Sequence, residues 1–471
     1  MSATLPSSPA RLRQGELGLG HIVSATLANI APAMSFYFGF AVIADGAGVA
    51  APLTILMAMI AVLFLANTLA EFSRLTPSAG SFVTFIGKGF GPTAAVASAV
   101  FLIFGYILAG SAVVAVMGGW TAETLHKYLG LNIPWEILTF AAIVLVGVMT
   151  VRGVRLSTAW AAAAFWVELA ILVVIGIALL AVHGGLNLHP FNPHYLDGGI
   201  KGIGLGFPIA IFLFIGWENA SMMAEESKEP RRLVPRALFT SVVAIGVLYT
   251  FLAYATEVGF GYDVKALNAA QVPYVDLTAH LLGGIVVLLY LAGITSIFGS
   301  LIGLVNAQSR ILFNSGREGL LPNVFGAVHE QHRTPWAAIS TFLLIALALL
   351  FMFAEGKNPV DYFGEAATCG TIPVAIIYGV TNLALPVYVW RTHPEAFSWL
   401  RHALLPVLGF LAMILPVWGL VTPGQPYPFN LYPYVALAVL VAAFLYARRM
   451  VARDPGIAER IGSVVADEAV K

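Results

Sequence analysis

The amino-acid sequence predicts an all-α integral membrane protein with twelve transmembrane helices, of which the first and the sixth are discontinuous. Three observations predict this fold class. The composition is strongly apolar, twelve stretches are long enough to cross a bilayer, and two oppositely directed stretches are interrupted near their centres. Together they indicate a five-plus-five inverted repeat followed by two further helices.

The composition requires lipid around much of the chain. Hydrophobic residues make up 59% of the 471 positions and charged residues only 10%, whereas a soluble domain carries roughly 25% charged residues. Soluble cores could not cover so many apolar side chains, so a bilayer must cover many of them. The 24 basic and 24 acidic residues cancel, which gives no support for a nucleic-acid partner.

A transmembrane helix needs about 20 mostly apolar residues. Walking along the chain gives spans at 20–44, 50–71, 91–121, 134–151, 157–182, 200–226, 236–259, 281–314, 335–354, 360–390, 402–421 and 431–451. The predicted organisation is an N-terminal tail (1–19), a first repeat of helices 1–5 (20–182), a second repeat of helices 6–10 (200–392), helices 11 and 12 (400–451), and a C-terminal tail (452–471).

The distribution of basic residues predicts the orientation. If the N-terminus is cytoplasmic, 20 of the 24 Lys and Arg residues fall on the cytoplasmic side, and the others are Lys127, Lys201, Lys265 and Lys357. Cytoplasmic loops carry such an excess, and a wrong number of spans would scramble it. We therefore predict a multi-pass protein of the cell inner membrane, monomeric or dimeric, with both termini in the cytoplasm.

Helices 1 and 6 carry helix-breaking residues at corresponding depths. Pro32 lies about 10 residues into the first span, where it has no amide hydrogen and crowds the carbonyl of residue 28. Gly216 lies about 14 residues into the sixth span, beside the ionisable Glu218. The two helices run in opposite directions. The sixth follows the first by five spans, which is the number of spans in one repeat. Paired interruptions of this kind mark the binding sites of secondary transporters.

The free backbone at such breaks can bind a charged solute. Amides at the start of the outer half of helix 1 present a positive dipole end to an anion, and carbonyls at the end of the outer half of helix 6 can hold an ammonium group. Aromatic rings near the second break attract organic ammonium groups. The candidate substrate-binding residues are Asn29, Ile30, Ala31, Ala33, Met34, Ser35, Tyr106, Phe212, Ile215, Gly216, Trp217 and Glu218.

Acidic residues inside the bilayer are costly and usually functional. Glu168 in helix 5 and Glu218 in helix 6 have no Lys or Arg at their depth, and we expect both to carry coupling protons or to face a cationic solute. Glu225 and Glu226 lie near a helix end and are expected to reach interfacial water. The hydroxyls of Thr295, Ser296 and Ser300 are candidate sodium ligands, although such hydroxyls often bond their own helix.

Three segments resemble the amino acid–polyamine–organocation superfamily of transporters: FLFIGWENASMMAEESKEPRRLVPRAL (212–238), AEFSRLTPSAGSFVTF (70–85) and SRILFNSGREGLLPNVF (309–325). The resemblance implies the inverted-repeat fold and alternating access around helices 1, 3, 6, 8 and 10. It also implies that Phe212 acts as a gate over the solute and that Glu218 links protonation to gating. Many proton-coupled members carry a lysine where Glu168 aligns, so that lysine mechanism cannot be transferred.

The first helix also departs from the family pattern, because Asn29-Ile30-Ala31-Pro32 replaces the glycine-rich turn that cradles a carboxylate. Two acids and a missing glycine turn favour a cationic amine, a polyamine or a cationic amino acid, moved by proton-coupled symport with H⁺ favoured over Na⁺. Zwitterionic amino acids, an obligate exchanger and a non-transporting membrane sensor are the alternatives. The sequence has no motif of an enzyme, a metal site or a cofactor site.

Overall fold

The computed structural model describes residues 12, 14–196, 200–463 and 465–466, and this part of the chain is built from helices and connecting turns. Its β-type pairing is confined to an isolated parallel bridge between Leu17 and Ser227. Residues 1–11, 13, 464 and 467–471, which belong to the two predicted tails, lie outside the described residues, and so do 197–199. The all-helical fold class is confirmed.

The helices of the first predicted repeat are α1 (Leu19–Ile30), α2 (Pro32–Ala47), α3 (Ala51–Leu75), α4 (Ser81–Phe90), α5 (Pro92–Leu129), α6 (Trp135–Arg152) and α7 (Val154–His183). The helices of the second are α8 (Ile200–Phe212), α9 (Asn219–Met222), α10 (Pro230–Gly259), α11 (Val264–Ala269), α12 (Pro273–Leu282), α13 (Val287–Arg317), α14 (Trp336–Phe353) and α15 (Pro359–Thr392). A π-helical turn (Trp399–Leu404), α16 (Leu405–Val421), α17 (Tyr432–Arg453) and α18 (Ile457–Arg460) follow.

The predicted spans correspond to these helices in order. Ten continuous helical stretches of the described chain are long and apolar enough to cross a membrane, and the first of them joins α2 to α3. Span 1 is α1 plus α2, and span 6 is α8 plus α9, which is too interrupted to count as one continuous stretch. Most boundaries agree within about four residues, the usual uncertainty of such predictions. There are three exceptions: α5 ends eight residues later than predicted, α10 begins six residues earlier, and α13 begins six residues later.

Proline and glycine explain several helix ends. Proline occupies the first position of α2, α5, α10, α12 and α15, where its missing amide hydrogen costs nothing and its fixed φ suits the helix. Gly130 directly follows the last residue of α5, has φ 68° and donates its amide to the carbonyl of His126. This left-handed closure is the usual use of glycine after a helix.

The connecting helices α4, α11 and α12 were not predicted, because their sequences are too short or too mixed to register as spans. Helix α4 packs against α5 and α15. It is amphipathic and directs Phe82 and Phe85 into the interior, where Phe85 stacks on Phe72 at 4.6 Å. Helices α11 and α12 connect spans 7 and 8 and pack on α2. The exact limits of the two repeats stay a prediction.

The helices form an inner group and an outer layer. The inner group consists of α5, α13 and α15, which are largely surrounded by protein. In the outer layer, only 17% of the most apolar 18 residues of α17 and 22% of those of α16 are buried. Helices α3 and α10, which hold the same place in the two repeats, pack along each other. Large apolar side chains on the outer layer, such as Leu344 and Trp418, are exposed, as expected for a surface that faces lipid tails.

Span 3 and span 10 approach each other through two glycines. A Cβ atom on Gly370 of α15 would lie 2.6 Å from the carbonyl oxygen of Gly105, and one on Gly105 of α5 would lie 2.7 Å from that of Gly370. Small residues allow membrane helices to come this close, which compensates for the weak hydrophobic drive between helices in lipid. The two helices therefore rely on these positions for their contact.

We predict that Gly370→Val separates α5 from α15 and destabilises the protein by about 1–3 kcal/mol through overpacking. The control is Gly364→Val on the same helix, where no atom lies within 4 Å of a new Cβ. Thermal unfolding in detergent should show a lower Tm for Gly370→Val only. Equal Tm values for the two variants would contradict the assigned contact.

Candidate functional site

Span 1 is interrupted at a single residue. Helix α1 ends at Ile30, Ala31 adopts left-handed backbone angles (φ 54°, ψ 65°), and α2 begins at Pro32. The left-handed conformation is uncommon for a residue with a Cβ and costs free energy. Since Pro32 has no amide hydrogen, Ala33 carries the first amide of α2. The predicted interruption of helix 1 is confirmed at the predicted place.

Span 6 is interrupted over a longer segment. Helix α8 ends at Phe212, residues 213–218 form successive turns, and α9 begins at Asn219. Gly216 has φ 106°, a conformation that favours glycine. A Cβ atom there would lie 2.9 Å from Nδ2 of Asn29, and this Nδ2 donates to the Gly216 carbonyl at 3.3 Å. The two interruptions therefore meet in the interior of the protein.

The start of α2 is bonded to side chains of spans 5 and 8. The Ala33 amide donates to Oε1 of Glu168, which is fully buried on α7. The Met34 amide donates to Oγ of Ser296 on α13 at 3.4 Å, and the Ser35 amide returns to the carbonyl of Ala31 at 2.8 Å. A carboxylate at a helix N-terminus is favourable because of the positive dipole end. Glu168 therefore occupies the anion position that sequence reasoning gave to a solute.

The end of α1 is held by polar side chains as well. The Ser300 hydroxyl of α13 donates to the Asn29 carbonyl at 2.9 Å, and the Asn219 side chain of α9 donates to the Ala25 carbonyl at 3.1 Å. In lipid, backbone groups freed from a helix need partners within the protein. Spans 6 and 8 supply these partners to α1.

Glu218 is bonded within the second interruption. The Tyr106 hydroxyl of α5 donates to its Oε1 at 3.0 Å, and the Gly216 amide donates to its Oε2 at 2.9 Å. Glu218 is 2% exposed. Its carboxyl group thus joins span 3 to the loop of span 6. A change in its protonation would alter both contacts, since a protonated carboxyl has one fewer acceptor position.

A cavity lies beside the two interruptions, with about 840 Å³ of empty space when the part open to solvent is included. Its walls come from α1, α2, α5, the loop after α8, α13 and α15. Polar groups on the wall belong to Asn29, Ser35, Tyr106, Ser300, Gln308 and Thr371, and no charged side chain is among its described lining residues. The remaining lining is aliphatic or aromatic. A cavity of this size and character suits a small solute with an apolar part.

Aromatic residues close one end of the cavity. The Phe38 ring contacts Phe363 at a centroid distance of 6.0 Å and Trp120 at 6.2 Å, and Trp120 stacks on Tyr290 at 4.9 Å. These residues lie on the side that the charge distribution assigns to the outside.

Buried ion pairs close the opposite end. Arg310 of α13 donates from Nε and Nη2 to the carboxylate of Glu226 at 2.6 and 2.5 Å, and Arg317 is paired with Glu225. Leu17 bonds the same segment, donating its amide to the Glu226 carbonyl at 2.9 Å. Glu225 and Glu226 are each 2% exposed, so the expectation that they reach interfacial water was wrong. The arginines of α13 replace water as their partners.

Most of the predicted substrate-binding residues come together at the cavity. Its lining contains Asn29, Ile30, Ala31, Met34, Ser35, Tyr106, Phe212, Ile215 and Gly216. Ala33, Trp217 and Glu218 lie behind this lining, and Trp217 packs on Tyr378 at 5.8 Å. Glu168 also lies behind it. Whether any of these residues binds a solute stays a prediction.

The three candidate sodium ligands are not brought together. The Thr295 hydroxyl donates to carbonyls of its own helix at 3.0 and 3.2 Å, as hydroxyls in helices commonly do. Ser296 and Ser300 contact span 1 instead. Sequence reasoning missed Gln308 and Thr371 as lining residues and Arg310 and Arg317 as ion-pair partners.

A fold in which a cavity lies beside two interrupted helices is typical of multi-pass membrane transporters. The family model for amino acid permeases matches residues 21–444, and the chain therefore belongs to this family. It is 27% identical over 445 residues to the branched-chain amino acid permease BcaP of Lactococcus lactis, covering 87% of this chain and 89% of that protein.

Two further relatives are named for other substrates than BcaP. The methylthioribose transporter of Bacillus subtilis is 24% identical and covers 92% of each chain, and the human Asc-type amino acid transporter 1 is 28% identical over 47% of this chain and 42% of its own. These relatives are named as transporters or permeases rather than enzymes. Membership of the amino acid permease family confirms the predicted superfamily.

We predict that the hydrogen bond of Glu168, rather than its charge, supports the start of α2. Glu168→Gln keeps an acceptor for the Ala33 amide and should change the Tm little. Glu168→Ala leaves that buried amide without a partner and should lower the free energy of unfolding by about 1–3 kcal/mol. Thermal unfolding in detergent measures both variants. Equal losses from the two substitutions would contradict a hydrogen-bonding role.

Proposed function

We propose that this protein imports neutral amino acids with apolar side chains by alternating access, coupled to protons. The uncharged cavity where the two interrupted helices meet carries this proposal. Spans 1 and 6 would move relative to the other helices and expose the cavity to each side in turn. A zwitterion would place its charged ends against the interrupted backbone and its side chain in the apolar part.

The cavity wall favours an apolar side chain over a cationic one. A cationic side chain would lose its hydration without gaining an ion pair, which is unfavourable in a buried site. Both acids that suggested a cationic solute are bonded to protein groups behind the wall. The relative BcaP is named a branched-chain amino acid permease. Apolar side chains of that kind would fit a cavity lined by Val113, Val116 and Leu304.

The charged ends of an amino acid have candidate positions at the two interruptions. The Ile215 carbonyl lines the cavity and accepts no backbone hydrogen bond in the described structure, so it can accept from the ammonium group. The amino acid's carboxylate fits near the start of α2. There the Met34 amide has only a long bond to Ser296, and the helix dipole favours an anion.

This position for the carboxylate gives a physical reason for proton coupling. Glu168 already occupies the N-terminus of α2, and a second carboxylate there would be repelled by an ionised Glu168 in a poorly screened site. Protonation of Glu168 removes the repulsion. By linkage, solute binding and protonation would then promote each other. Uptake driven by the proton gradient follows, with Glu218 as a second candidate because it connects spans 3 and 6.

The orientation and location belong to the same proposal. The excess of Lys and Arg in one set of loops supports cytoplasmic termini in the cell inner membrane. Import is then movement from the aromatic end of the cavity to the end with the buried ion pairs. Obligate exchange of solute and product stays the alternative, since the same site could run both directions; counterflow without net uptake would identify it.

A neutral solute without a carboxylate is the second candidate. It is favoured by the occupation of the Ala33 amide by Glu168, which leaves few donors for an added carboxylate. A relative of this chain is named a methylthioribose transporter, and methylthioribose has no carboxylate. Such a solute would need no change at Glu168.

A competition panel in proteoliposomes separates these candidates. Uptake of radiolabelled leucine is measured with an excess of leucine, isoamylamine, methylthioribose or arginine. We expect leucine uptake, inhibited by leucine but at least about tenfold less by isoamylamine, which lacks the carboxylate and so the helix-dipole contact. Absence of leucine uptake, or stronger inhibition by isoamylamine or arginine, would contradict the proposal, and binding of methylthioribose alone would favour the second candidate.

The proton-coupling groups can be tested separately. Glu168→Gln and Glu218→Gln remove one titration each while keeping the shape of the side chain. For wild type, leucine uptake should rise as the outside pH falls from 8 to 5, and at least one variant should show flat uptake. Glu136→Gln, at the outer end of α6 and away from the cavity, is the control. An unchanged pH profile in both variants would exclude the assigned coupling role.

A further inference from the structure

A second cavity lies at the arginine-rich end of the bundle, away from the central cavity. It is a partly open cavity where α6 ends, α7 begins and the loop after α13 turns back, with about 850 Å³ of empty space when the part open to solvent is included. Its walls include Arg152, Arg155 and Arg333, with His332 beside them and Glu16 and Glu226 on the facing segments. The proposed orientation puts this cavity on the cytoplasmic side. No step of the proposed transport cycle uses it.

The three arginines on its wall have no side-chain partner among the residues that the structure describes. None of their guanidinium groups makes an ion pair or a hydrogen bond with a side chain or carbonyl within the described residues, and all three side chains are exposed. Exposed arginines grouped around one cavity repel each other, and a bound anion would relieve this repulsion.

The carboxylates of the cavity do not balance this charge. Glu226 is already engaged with both Nε and Nη2 of Arg310. Glu16 contributes a single further carboxylate. Three arginines therefore face one carboxylate that is not committed to Arg310. The cavity is suited to an anion with several oxygen atoms, because guanidinium groups bind phosphate through paired hydrogen bonds.

The backbone adds to the same electrostatic field. Helix α7 starts in this cavity at Val154, and Gly153 before it provides no side-chain cap. The first amides of a 30-residue helix are thus directed to the cavity side. The loop that carries Arg333 is fixed there, since the Thr334 hydroxyl donates to the Val151 carbonyl at 2.6 Å. The arginines are consequently held around a common space.

One wall of the cavity borders the lipid-facing surface. Leu156 in its lining is 44% exposed, and Trp160 one turn further along α7 is 56% exposed. Trp336 follows the loop of Arg333 and is 45% exposed. Tryptophan is enriched where membrane helices meet the headgroup region. A headgroup can therefore enter from the side while its acyl chains lie along α7.

From this geometry we propose that the cavity binds a phosphate group, supplied by an anionic phospholipid headgroup of the cytoplasmic leaflet. Basic pockets between transmembrane helices on this side are suited to such headgroups. The bound phosphate would lie close to Leu17 and Glu226, which close the inner end of the transport cavity. It would stabilise the closed arrangement of these segments by relieving the charge of the neighbouring arginines.

The test uses the full-length protein in detergent, titrated separately with phosphatidylglycerol, phosphatidylcholine and inorganic phosphate. Native mass spectrometry measures lipid retention, and thermal unfolding measures stabilisation. The variant is the double substitution Arg152→Gln and Arg155→Gln. The control is Arg448→Gln with Arg449→Gln, which changes two exposed arginines near the C-terminal end of α17. Phosphatidylglycerol should bind wild type and the control, and its apparent Kd should rise at least about tenfold in the variant.

The arms distinguish the sources of the phosphate. Stabilisation by inorganic phosphate that depends on Arg152 and Arg155, without selective lipid retention, would keep the phosphate site and assign it to a soluble ligand. Equal retention of phosphatidylglycerol and phosphatidylcholine by wild type, with no effect of phosphate, would overturn the proposal. Equal losses in variant and control would overturn it too. If the double variant fails to fold, Arg333→Gln, which changes a loop residue, gives the same readout.

Discussion

Backbone groups inside a bilayer have no water to bond, and this constraint governs the centre of the protein. Two helices stop halfway across the membrane, so their freed amides and carbonyls must find partners in protein. Asn29 of one interruption bonds Gly216 of the other. The two breaks therefore contact each other directly, and spans 3, 5 and 8 supply further partners. The cavity lies where this mutual support leaves room for a solute.

The partners of span 1 come from spans that could move separately from it. Glu168 and Ser296 hold the start of α2, and Ser300 holds the end of α1. These are individual hydrogen bonds, each of modest net free energy. A solute that offers its own charged groups can compete with them at little cost. This is a physical basis for binding and movement at the same place.

Much of this arrangement could be predicted from sequence, because helix breaking is local chemistry. Pro32 and Gly216 act through their own backbones, and the apolar runs determine the spans. The long-range partners could not be predicted in the same way. Glu168 is 135 positions from Ala33, and no local pattern shows that its carboxylate bonds that amide. The same limit explains the error for Glu226, whose partner Arg310 lies on another span. The predicted preference for a cationic solute rested on the same kind of inference, because it assumed that buried acids face the solute.

Hydrogen–deuterium exchange with and without saturating leucine tests the central claim most directly. If the two interruptions form the solute site, amides of residues 29–35 and 212–218 should exchange more slowly when leucine is bound, while those of α16 and α17 should not change. The account would be contradicted if the protein transports leucine but bound leucine leaves the amide exchange of both interruptions unchanged and slows exchange elsewhere.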